Sequence, residues 1–307
     1  MSAAPGAKNW LMVLLVALIW GSSFMTISVA ITGFGPLSVA AGRISLGALF
    51  LLLASRLLGG RLPSPATARG RRIWLAAAGF GVFSMALPFF LLSWAQARVS
   101  SGFAGVSMAT VPLIVLPLAH LLLPGERMTL PRTAGFVIGF AGTVLLIGPD
   151  ALQLRGADLE QLARLACLAA AASYAVGGIV TRLAPPVDPI AFAAGATSLA
   201  ALLIVPVALV VEGWPENFPP RPALAVLYLA ALPTAAANLL IVAVVRSAGP
   251  AFLSLANYQV PVWALIFGAL FLDEALPAQM FAALALILTG LALGQHGQRR
   301  NAPPRRD

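Results

Sequence analysis

The side chains able to do chemistry in this chain are few, and most sit where water is scarce. There are two histidines, one cysteine and ten acidic residues among 307. They form no HExxH, no P-loop and no Cys/His cluster, so no catalytic residue, metal site or cofactor is expected. What remains is a set of polar side chains inside long apolar runs. They are Trp20, Ser22, Ser23 and Thr26; Ser84, Trp94 and Gln96; Ser107 and Thr110; Thr234 and Asn238; and Ser254, Asn257, Tyr258 and Gln259. Such groups recognise a small molecule by hydrogen bonding and stacking without reacting with it. A serine or threonine also satisfies itself on its own helix, and taken singly each reads first as packing. An amide has two donors and an acceptor to place, so Asn238 and Asn257 read as cavity lining, with Tyr258 beside them. Thr234 and Asn238 are four apart and share a helix face. Gln259 points elsewhere and reads as a bridge between helices. Trp20 reads equally as a stacking wall for a substrate or as a packing residue. The expected substrate contacts are Trp20, Ser23, Ser84, Trp94, Ser107, Thr234, Asn238, Asn257 and Tyr258.

Two charged candidates stand apart. Arg43 lies about six residues into an apolar run, and either snorkels to the interface or binds a substrate carboxylate. His120 either packs near a helix end or carries a coupling proton, its ordinary pKa being near 6.5. No Asp or Glu lies mid-run; Glu126, Asp273 and Glu274 mark run ends. That favours facilitated transport and a cavity without fixed charge, suited to neutral or zwitterionic molecules.

The elements that must position these groups are membrane helices. Apolar residues make up 60% of the chain and charged residues 9%, and the mean hydropathy is +0.94. A soluble domain has about a quarter of its residues charged. A soluble enzyme, a disordered chain and a nucleic-acid binder are therefore excluded. About 20 apolar residues cross a bilayer, and ten such runs appear: 10–31, 37–57, 73–95, 102–123, 131–148, 159–183, 189–211, 222–245, 249–272 and 277–295. Trp10, Trp74 and Trp214 lie at run ends, as interfacial aromatics do. Cys167, among Leu and Ala, reads as a buried small hydrophobe. With the N-terminus cytoplasmic, fourteen Lys and Arg fall inside and four outside (Arg98, Arg155, Arg164 and Arg221). The positive-inside rule then puts both termini in the cytoplasm.

The halves repeat. Pro36 to Gly42 opens run two as Pro189 to Gly195 opens run seven. Val111-Pro112 precedes Glu126 as Val260-Pro261 precedes Glu274, and each glutamate precedes a glycine, Gly142 or Gly290, by sixteen residues. Five runs per half is an odd number, so the second half must be inverted, as in transporters that rock about a midplane site. Pro112 and Pro261, at equivalent positions, are expected to act as gating bends. The spacings Gly135-x-x-x-Gly139 and Gly290-x-x-x-Gly294 suit close helix contacts that support the scaffold or a homodimer.

With Trp20-Gly21-Ser22-Ser23-Phe24, which looks like a W-G-x-x-F signature, these units make the chain resemble the drug/metabolite transporter superfamily, EamA type, over essentially its whole length. The second half lacks a clear W-G pair and has Tyr174 to Gly178 instead. The resemblance implies an all-α bundle of ten helices in two inverted repeats, with a central cavity lined by helices three, four, eight and nine. It implies export of amino acids, drugs or other small metabolites. The boundaries expected are 1–148 for the first repeat, 149–160 for an outer linker, 161–297 for the second repeat and 298–307 for a basic tail. The expected function is alternating-access export of small neutral or zwitterionic metabolites, amino acids foremost, across a bacterial inner membrane. Its partners are the small-molecule substrate and the lipid bilayer, with no nucleic acid. A lipid-carrier or drug flippase is the alternative on the same fold; an integral-membrane enzyme is the alternative of another class.

Overall fold

The computed structural model describes residues 6–124, 126, 128–148 and 159–300. Most of the expected linker, residues 149–158, lies outside them, as do residues 301–307 of the expected tail, Gly125 and Arg127. The described residues are helical and contain no strand. The bundle comprises α1 (Ala7–Ala30), α2 (Pro36–Leu57), α3 (Ala68–Ala95), α4 (Ser101–Leu122), α5 (Leu130–Ile147), α6 (Leu159–Leu183), α7 (Pro189–Val211), α8 (Pro220–Ala248), α9 (Pro250–Leu272) and α10 (Ala278–Arg300). Among the described residues nine of these are long and apolar enough to cross a membrane, and α10 carries a shorter apolar stretch, Ala278–Gly294.

Local chemistry sets the helix starts. Helices α2, α5, α7, α8 and α9 open on a proline in their first two positions, where its missing N–H costs nothing. Thr67, Ser100 and Asp188 cap α3, α4 and α7 through side-chain oxygens that accept from backbone N–H groups. Along the helices, Leu53, Leu202, Val210, Leu224 and Leu270 stand exposed. An apolar exterior of this extent fits lipid and would aggregate in water.

The packing follows the repeat. The principal helix contacts are α5 with α10, α2 with α7, α1 with α9, α3 with α6, α4 with α9, α3 with α7, α2 with α8, α4 with α6 and α1 with α8. Exchanging each helix for the one five places away maps this set onto itself. The three self-mapped pairs are antiparallel. On α5 and α10, a Cβ at Gly135 would strike the Gly290 carbonyl, while one at Gly142 would strike Ala283 and Leu286. On α2 and α7, Leu37 meets Glu212 whereas Gly60 lies by Asp188. On α4 and α9, Ser101 meets Glu274 and Gly105 meets Ala264. The second five helices are thus inverted against the first. The Gly135 and Gly290 spacings join α5 to α10 within one chain, so the close approach they allow serves the scaffold.

Candidate substrate-binding site

Two helix irregularities position the site, and both begin with a proline. In an α-helix, the N–H of residue i binds the carbonyl of residue i−4, and a proline cannot. Helix α3 widens to a π segment at Val82–Ala86 ahead of Pro88, and α8 does so at Ala230–Ala236 around Pro233. In α3, Leu87 N–H donates to the Val82 carbonyl. The Phe83 carbonyl is left over, since Pro88 has no N–H to offer it, and Ser173 of α6 donates its hydroxyl to it at 2.7 Å. In α8, Pro233 frees the Leu229 carbonyl, and Thr234 donates its hydroxyl to it at 2.9 Å. Helices α3 and α8 are repeat equivalents, so the two π segments form one symmetric pair. They carry Ser84 and Thr234. Such segments recur at functional sites.

Arg43 of α2 reaches this pair. Its Nε donates to Thr234 Oγ1 at 3.0 Å. The Thr234 proton is already committed to Leu229, so an oxygen lone pair receives the arginine. The guanidinium carbon lies 3.6 Å from the Phe89 ring centre in α3. Tyr174 of α6 lies within electrostatic reach and packs against the apolar cluster that contains Phe89 and Met85. Snorkelling, one of the two readings of Arg43, does not occur: the residue is 6% exposed. It shares its face of α2 with Ala40, Gly47 and Leu51, all buried, while Leu49 and Leu53 face outward. An arginine deep in a membrane span costs about 2.5–3.5 kcal/mol on insertion scales. A desolvated cation–π contact returns up to about 2 kcal/mol. Every described acidic residue lies at a helix end or between helices. The expectation of an interior without fixed charge is therefore corrected: the interior holds one positive charge with no acidic partner among the described residues.

Asn238 joins the cluster one turn beyond Thr234, donating Nδ2–H to the Thr234 carbonyl at 2.5 Å. A carbonyl only accepts, so the amide orientation is set and Oδ1 points away as a spare acceptor. Ser84 sits against α6, where a Cβ on Gly177 would strike its hydroxyl. Arg43, Thr234 and Asn238 thus belong to one locus with Phe89 and Tyr174, while Ser84 lies on the α3 π segment against α6.

Other expected contacts lie elsewhere. Ser23 donates to the Trp20 carbonyl and Ser107 to the Phe103 carbonyl, each on its own helix. Trp20 packs against the apolar core, beside the seam where a Cβ on Gly21 would strike Trp263 of α9. Ser22 instead pairs with Tyr228 of α8 at 2.7 Å. Trp94 is in the last turn of α3, beneath the Arg98 guanidinium at 4.6 Å. Gln259 bonds its own helix at Leu255. His120 is exposed in the last turn of α4, and its Nδ1 meets the Glu126 carbonyl at 3.1 Å. Asn257 is exposed and Tyr258 half-buried. Of the equivalent prolines, Pro112 follows a 3-10 turn at Met108–Thr110, whereas α9 stays α-helical through Pro261.

The ends of α4 and α9 complete the picture. Glu274 accepts from Ser101 N–H at 2.7 Å and Gly102 N–H at 2.9 Å, bracing the start of α4 with both carboxylate oxygens. Gly268 makes room for it. Glu126, its repeat equivalent, instead holds Arg132 at 3.1 Å and Arg182 at 3.5 Å. Phe89, Tyr174 and Tyr228 did not stand out as site residues in the sequence. The available signal was the pair of mid-helix prolines, Pro88 and Pro233, whose missing N–H groups open the helices beside them.

Comparisons with known proteins agree with this architecture. The model of the EamA-like transporter family matches residues 8–148 and 161–293. The chain is 30% identical over 284 residues to the uncharacterized inner membrane transporter YedA of Escherichia coli, covering 90% of this chain and 87% of that one. It is 31% identical over 137 residues to a probable terminal-alkyne amino-acid exporter of Streptantibioticus cattleyicolor, covering 45% of this chain and 43% of that one. A solved structure titled only as a crystal structure of a protein superposes with a TM-score of 0.66 at 23% identity, covering 97% of this chain and all of that one, a likeness of fold.

Proposed function

The chain belongs to the EamA-like transporter family and is a multi-pass membrane transporter, and on that premise we propose that it exports small neutral or zwitterionic metabolites, amino acids foremost, by alternating access. The observation that carries this reading is the polar locus of Arg43, Thr234 and Asn238, built where the π segment of α8 meets α2. A site between inverted repeats, fed by irregular helix segments, can be offered to one side and then the other by rocking one half on its twin. The printed name of one relative, an amino-acid exporter, supports the substrate class. The loop charges support cytoplasmic termini, and the inner-membrane relative supports that location. The end-of-helix positions of the acids, with exposed His120, favour transport driven by the substrate's own gradient. Symmetry within one chain completes the bundle, and a homodimer would be an addition to it.

The test is counterflow into proteoliposomes with a panel of labelled amino acids, with and without a pH gradient. Movement of at least one amino acid at equal internal and external pH is expected. If no amino acid moves while a labelled lipid carrier does, the substrate class is wrong. A strict need for the gradient would replace facilitated transport by proton coupling.

A further inference from the structure

We propose that Arg43 is the anchor for a carboxylate on the transported molecule, and that this contact selects monocarboxylates and zwitterions over amines. The inference rests on the transporter reading above and narrows it to a chemical group.

A tie between helices does not need a guanidinium. The one hydrogen bond of Arg43 among the described residues uses Nε on Thr234 Oγ1, and a neutral amide could make that bond. The guanidinium carries four further N–H donors in a planar fork. Phe89 covers one face of the plane, a contact that leaves the edge donors unused. The edge is where a carboxylate binds, oxygen for nitrogen, in a pair of parallel charge-assisted hydrogen bonds. Arg43 lies on the packed face of α2, while Leu49 and Leu53 take the exposed side. A carboxylate arriving from solution would neutralise the charge in the low-dielectric interior.

The surroundings define the rest of the molecule. Phe89, Met85 and Tyr174 offer an apolar and aromatic wall. Asn238 Oδ1, turned away from its own helix, offers an acceptor to an ammonium. No described carboxylate lies in a helix interior to hold a lone cation, and Arg43 repels one. The site therefore fits a carboxylate first and an ammonium second, in a molecule with an apolar body.

Three probes share one such body: leucine, isocaproate, which lacks the amine, and isoamylamine, which lacks the carboxylate. Unlabelled isocaproate should inhibit counterflow of labelled leucine by the wild-type protein, and isoamylamine should not. Arg43→Gln should weaken both leucine uptake and isocaproate inhibition by about tenfold or more. Arg43→Lys, which keeps the charge and loses the fork, should fall between. Equal inhibition by isoamylamine, or an Arg43→Gln protein with wild-type affinity for leucine, overturns the proposal. If wild-type protein moves no amino acid, thermal stabilisation of the purified protein by isocaproate decides separately. Stabilisation lost in Arg43→Gln keeps the anchor while the amino-acid reading falls; absence of stabilisation removes the anchor too. Should both variants fail to fold, the wild-type competition between isocaproate and isoamylamine decides alone: inhibition by the acid only upholds the anchor, and equal inhibition by the amine removes it.

Discussion

The pair α4 and α9 has two ends that the repeat makes equivalent, and they behave differently. At one end Glu274 grips two backbone N–H groups of α4. At the other, Glu126 pairs with Arg132 and Arg182. The helices follow suit. Asn257, Pro261, Ala264 and Gly268 share a face of α9. Ala264 is fully buried and Gly268 packs on Ser101 and Glu274, yet Asn257 on the same face is exposed. The two helices are held together at the Glu274 end, and Asn257, toward the other end of α9, is exposed.

The chain itself holds a reason for the difference. Aligned on the two glutamates, Pro250 stands opposite Gly102; aligned on Pro112 and Pro261, it stands opposite Ser101. Either way, α9 opens on a residue without an N–H where α4 supplies one. A two-oxygen cap from Glu126 would find one donor too few. The inverted halves are alike in outline but unequal in the strength with which each end can close.

The largest test of this contrast is at Glu274. In the natural background, where Cys167 is buried, Ser101→Cys should react slowly with a membrane-impermeant maleimide and Asn257→Cys quickly. Adding Glu274→Gln removes a charge-assisted pair of hydrogen bonds, each of about 1.5–3 kcal/mol, and should raise Ser101→Cys labelling by about tenfold or more. Unchanged labelling would mean the cap does not hold that end shut.

Next in size is the α5–α10 seam, which both halves share. A Cβ at Gly290 would lie 2.6 Å from Gly139 N. Gly290→Ala should therefore lower stability by about 1–3 kcal/mol, read as a drop in the thermal unfolding midpoint in detergent. Gly178→Ala, with open space around it, serves as the matched control and should not destabilise.

A smaller effect is expected at Pro250. Pro250→Ala restores the missing donor for Glu126 and should slow Asn257→Cys labelling about two- to threefold, near 0.5 kcal/mol. Faster labelling would contradict the donor argument. Least of all should come from Glu126→Gln. Its ion pairs are partly exposed, with Arg182 at 53%, and such pairs are worth about 0.2–1 kcal/mol. Transport rates should stay within about threefold of wild type.

Much of the fold was legible in the residues because each signal was local. Runs of about 20 apolar residues dictate spans, prolines and glycines mark their ends, and the paired Val-Pro, Glu and Gly spacings disclose the duplication. The site was legible only in part. Thr234, Asn238 and Ser84 stood out as polar groups in apolar runs; Asn238 bonds the Thr234 carbonyl and Ser84 sits against α6. Ser23 and Ser107 stood out equally, yet each turns back on its own helix, because a hydroxyl within reach of an i−3 or i−4 carbonyl satisfies its one donor there. Sequence left Arg43 with two readings, and burial removes the snorkelling one. Phe89 and Tyr174 looked like ordinary aromatics until the packing set them beside it.

From its residues alone, the chain determined that it crosses a membrane as helices, that its halves are duplicated and inverted, and that a bond donor is missing at the start of α9. These follow from composition, parity and covalent structure. Tertiary structure decided which polar groups meet, that Arg43 turns inward on Thr234, and that Glu274 caps the start of α4. Those outcomes depend on contacts between helices nearly 200 residues apart, and nothing local specifies the angle at which two membrane helices cross.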